Sequence, residues 1–105
     1  MPLTSWAFIY LSPGFNEQNN SFKTKVGPCQ FQIIGLNVND KALTINIAKR
    51  LLSQKGVQTI ELCGGFGPQW VAKISEAIDN KIPVGGVMYG PEFRKSLYEL
   101  MNFNT

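Results

Sequence analysis

Histidine is absent from the 105-residue chain. That removes Ser-His-Asp triads, imidazole acid–base chemistry and nearly all transition-metal sites built on imidazole. Cysteine is almost as scarce: Cys29 and Cys63 are too few for a zinc cage and too far apart for a Cys-x-x-Cys redox motif, so a reduced pair is expected. Charge is sparse at 16%, against about 25% in an average domain. Its excess of +3 comes from lysines and arginines scattered from Lys23 to Lys95 without a basic stripe, which gives no reason to expect nucleic acid as a partner. The longest apolar run, Trp6 to Leu11, is stopped by Ser12-Pro13, and no basic segment precedes it. Neither a membrane span nor an export signal is therefore expected, and a cytoplasmic location is.

What remains is an apolar chain, 44% hydrophobic with 10 Gly and 6 Pro, enough for one core and a single domain over residues 1–105. A domain this small and this poor in charge leaves apolar surface after folding, so self-association into a homodimer or higher oligomer is expected. Trp6–Leu11 reads as a strand buried on both faces, hence interior to a sheet. The polar stretch 13–29 reads as a long connection with a short extended piece near Phe22–Val26. Phe31–Leu36 forms a second strand, and Leu43, Ile47, Ala48, Leu51 and Leu52 recur at helical spacing behind it. Thr59–Cys63 is a third strand, followed by a helix opening at Pro68 with Val71, Ile74, Ala77 and Ile78 turned inward. Pro83–Tyr89 is a fourth strand, and a last helix places Phe93, Leu97, Leu100 and Met101 on one face.

Successive strand–helix–strand units predict right-handed crossovers in a mostly parallel sheet. The expected architecture is α/β: four strands in the order 2-1-3-4 with three helices, half of a flavodoxin- or Rossmann-like fold. An antiparallel first strand is the rival arrangement.

In such sheets ligands gather beyond the carboxyl ends of the strands. There the chain places Glu61-Leu62-Cys63-Gly64-Gly65-Phe66-Gly67-Pro68, a glycine-rich loop leading into a helix whose first amides are free to bind a carboxylate, phosphate or enolate-like oxygen. It is not a dinucleotide fingerprint, because Trp70 stands where Gly or Ala is required, and no Gly-Lys-Ser/Thr makes it a P-loop. No cofactor is expected. Gly64, Gly65, Phe66 and Gly67 are the candidate ligand-binding residues. Glu61, a carboxylate in a parallel strand, is the candidate base or acceptor. Cys63, beside a helix N-terminus, is a candidate reactive thiol, against a plain role as a small buried hydrophobe. Tyr10 and Tyr89 end two strands and offer phenolic hydroxyls to the same crevice, with core packing as the alternative.

The segment Val57–Gly90, with Glu-Leu-Cys-Gly-Gly-Phe-Gly-Pro at its centre, resembles a family of small bacterial domains of unknown function. The resemblance covers the last two thirds of the chain and implies a stand-alone domain of this length without assigning an activity. The function expected from the residues is binding of a small anionic or carbonyl metabolite at loop 64–67. The alternatives are a non-catalytic oligomerising or regulatory domain whose glycines only shape a turn, and a thiol-dependent protein using Cys63.

Overall fold

A computed structural model describes residues 2–54 and 56–101. Its elements are β1 (Ser5–Leu11), β2 (Phe22–Val26), β3 (Cys29–Leu36), α1 (Leu43–Ser53), β4 (Thr59–Leu62), α2 (Pro68–Ala77), β5 (Val84–Gly86), a 3-10 turn (Pro91–Phe93) and α3 (Arg94–Leu100). The sheet has five strands in the order β2-β3-β1-β4-β5. β1 is parallel to both neighbours, aligning Phe8 with Ile33 on one side and with Glu61 on the other. β5 continues the parallel set, pairing Gly85 with Glu61. The four strands expected from the sequence thus stand in the order 2-1-3-4.

The fifth strand corrects the count. β2 pairs antiparallel with β3 through a two-residue turn, Gly27-Pro28, with Gly27 at φ +56°, as a hairpin of this length requires. All five of its residues are exposed, so its Phe-Lys-Thr-Lys-Val alternation carries no burial signal, and its two lysines suit a sheet edge. The fourth strand is shorter than expected, three residues, because pairing ends at Gly86.

Both helical crossovers, β3-α1-β4 and β4-α2-β5, step the same way across the sheet. Right-handed connections then place both helices on one face. The core lies between that face and the helices: Ala7, Ile9 and Leu11 from β1, Ile34 and Leu36 from β3, Ile60 and Leu62 from β4, and Ile47, Leu51, Ile74 and Ile78 from or beside the helices. Each fully buried Ile or Leu contributes roughly 1.5–3 kcal/mol of burial. The molecule therefore has two layers, where a flavodoxin-like domain has three.

One expectation changes as a result. β1 is interior to the sheet, but only Ser5, Ala7, Ile9 and Leu11 are buried; Trp6, Phe8 and Tyr10 on the opposite face are half-exposed. The last helix does not cover that face. None of its residues is buried, and Met101, just beyond it, reaches over Gly65 at the strand ends.

Candidate functional site

The loop between β4 and α2 does two different things with its four residues. Phe66 is buried in the core. A Cβ on Gly65 would lie 2.8 Å from Met101 Cε and 3.5 Å from Leu11 Cδ1, so that glycine faces inward. Gly64 and Gly67 face outward. They line a cavity of about 300 Å3 with Val87, Tyr89, Arg94 and Leu97. An adjoining hollow of about 150 Å3 shares Gly67, Pro68, Val87 and Met88 and adds Val71 and Gly86. The two lie at the carboxyl ends of β4 and β5, where the fold was expected to collect a ligand.

Gly67 has φ +79° and ψ 168°, a region open essentially to glycine alone. That conformation turns the chain from the loop into α2, with Pro68 at the favoured first helical position. The helical hydrogen bonds begin with Val71 N–H donating to Gly67 O at 3.4 Å. Among the described residues no group accepts from the amides of Gln69 and Trp70, so the positive end of α2 remains available beside the cavity. A Cβ on Gly64 would stand 3.2 Å from Tyr89 Cε1; the absence of a side chain is what lets the tyrosine ring close over the loop.

The structure separates the remaining candidates. Glu61 is exposed on the open face of the sheet and lines neither cavity. A carboxylate inside a parallel strand is tolerated here because that face reaches water. Cys63 is half-buried, and its Sγ accepts a hydrogen bond from Leu11 N–H at 3.3 Å, tying the end of β1 to the end of β4. Tyr10 is engaged elsewhere: its hydroxyl donates to Asn20 O at 3.3 Å and its ring meets Phe15 edge-on, holding the 12–21 connection. Of the eight residues singled out from sequence, the cavity brings together Gly64, Gly67 and Tyr89.

Arg94 was not singled out. Its sequence signal is its place at the start of α3, after the Gly90-Pro91 turn that redirects the chain from β5 back over the loop. A larger depression, about 350 Å3, lies at the carboxyl end of β3, between the 12–21 connection and α1. Its one arginine, Arg50, is already paired with Glu17.

The fold and the cavity together define a two-layer, mostly parallel α/β domain with a pocket at the carboxyl ends of its strands. Residues 4–102 match a family described as a family of unknown function, DUF6506, and the chain belongs to it. The match covers nearly all of the sequence, more than the two thirds over which a resemblance is read from the residues. No curated protein and no solved structure matches the chain. Among the described residues no helix is long and apolar enough to cross a membrane.

Proposed function

We propose that the protein binds a small organic anion in the cavity between the 64–67 loop, Tyr89 and Arg94. One observation carries the reading: Arg94 and the amino-terminal end of α2, represented by Gly67 and Pro68, line the same cavity. A guanidinium and a helix N-terminus both favour a carboxylate or phosphate. The volume, at the lower end of the ligand-pocket range of about 300–1,000 Å3, suits a small metabolite. The adjoining hollow, walled by Val71, Val87 and Met88, suits a short apolar or carbonyl-bearing arm. Binding is favoured over catalysis because neither Glu61 nor Cys63 lines the cavity or the adjoining hollow.

Calorimetric titration or thermal shift with a panel of phosphorylated and carboxylated small molecules tests this. At least one is expected to raise the unfolding temperature. Arg94→Gln is expected to weaken that ligand by about tenfold or more, the worth of one charge-assisted hydrogen bond, while Glu61→Gln leaves its affinity unchanged. A panel without a binder, or an Arg94→Gln protein that binds as the parent does, would overturn the reading.

A further inference from the structure

Among the described residues, no layer covers the second face of the sheet. Register and alternation assign its residues: Trp6 beside Phe31, Phe8 beside Ile33, and Phe22 beside Ile33 on the edge strand. The glycines of β5 check the assignment independently. A Cβ on Gly86 would strike Val71 of α2 at 2.9 Å, whereas one on Gly85 would meet nothing within 4 Å. Gly85 therefore belongs to the uncovered face and Gly86 to the helix side.

This face is both apolar and uneven. On β1, β3 and β2 it is a ridge of large side chains. Trp6 and Phe31 pack at 5.0 Å between ring centroids, and Phe22 and Val26 stand 60% and 78% exposed at its edge. On β4 and β5 it drops to a trough, with Thr59, Glu61 and Gly85. Sequence composition gives no reason for solvent to be the neighbour of such a ridge. The apolar pattern of β1 is that of a strand covered on both sides, and the chain itself covers one.

We propose that a second copy of this chain covers the open face about a two-fold axis, the aromatic ridge of each lying in the trough of the other. A two-fold contact requires one surface to complement itself, residue i meeting j while j meets i, and a ridge beside a trough on one sheet satisfies that requirement. The footprint is modest. Five strands spaced about 4.8 Å, taken over the roughly four to five residues per strand not overlaid by the 12–21 connection, give a flat area of about 350–400 Å2. That is about half of the roughly 800 Å2 per partner of a standard interface and fits a weak pair that forms in the upper micromolar range. At that connection the face ends, since Asn20 O lies 2.5 Å from where a Gly35 Cβ would be. Glu61 in the trough keeps the contact from being wholly apolar and favours a register that leaves its carboxylate at hydrated edges or against donors of the partner.

Sedimentation velocity over 1–100 µM tests the proposal on the full chain. The parent is expected to sediment as a dimer in the upper part of that range. Phe31→Lys, at the centre of the ridge, is expected to sediment as a monomer. Phe22→Lys and Val26→Lys lie at exposed positions where the monomer loses no buried contact, so each is expected to stay folded by circular dichroism and to weaken the dimer at least tenfold. A parent that is monomeric at 100 µM overturns the proposal. So does a dimer that Phe22→Lys and Val26→Lys leave unchanged while both remain folded, since the contact must then lie elsewhere.

Discussion

At the scale of single residues, the glycine-rich loop shows how one residue type is used for unlike reasons. Gly64 admits a ring, Gly65 admits the Met101 methyl, and Gly67 supplies a backbone conformation. Only the last is independent of what surrounds it, because nothing lies within 4 Å of a Cβ built there. Gly67→Ala is therefore expected to lower stability by about 1–3 kcal/mol with or without a ligand, measured by urea unfolding. A change below about 0.5 kcal/mol would mean that the loop relaxes. From sequence the three were indistinguishable, since a Gly-Gly-x-Gly string marks a tight turn without saying which position carries the positive φ. Glu61 misled for a related reason: alternation locates it on a face of the strand, but whether that face meets a helix or water depends on topology.

Secondary-structure elements were more legible than their partners. The three-to-four spacing of Ile47, Ala48 and Leu51 and of Val71, Ile74 and Ile78 marks helices that dock with those residues wholly or partly buried, whereas Leu43, expected on the same face, stands exposed at the start of α1. The strand–helix–strand units indicated the parallel crossovers, and the apolar pattern of β1 placed that strand inside the sheet, where it stands. β2 escaped because an edge strand exposed at every residue has no burial pattern to read, and α3 was given an inward face that it does not have. Where α2 crosses β5 the fit is close enough to test. A Cβ on Gly86 would come within 2.9 Å of Val71 Cγ2, so Gly86→Ala is expected to cost about 1–3 kcal/mol by overpacking. Val71→Ala in the same chain removes the obstructing methyl. The double variant should then be more stable than the sum of the two single losses predicts, by at least about 0.5 kcal/mol in a double-mutant cycle. Additive losses would place the strain elsewhere.

At the scale of the whole molecule, topology decides what the chain can cover by itself. Two crossovers in the same direction leave one side of the sheet without a helix, and the 12–21 connection reaches only the end where Gly35 and Tyr10 lie. The sequence reads β1 as buried on both faces; the single chain buries one, and the proposed pair would bury both. If folding and pairing are linked in this way, stability must depend on concentration. For a dimer that unfolds to two separate chains, each tenfold rise in concentration is worth about 1.4 kcal/mol per dimer, or about 0.7 per chain. For a chain of this length that corresponds to a rise in Tm of roughly 3–5 °C per decade. Scanning calorimetry of the parent from 5 to 500 µM should show a rise that approaches this slope at the upper, dimeric end of the range, and Phe22→Lys, with Phe22 exposed in the monomer, should flatten it while leaving the low-concentration Tm nearly where it was. A parent Tm that stays constant across the hundredfold range would mean that the ridge of Trp6, Phe31 and Phe22 faces water and that the folded chain is complete without a second copy.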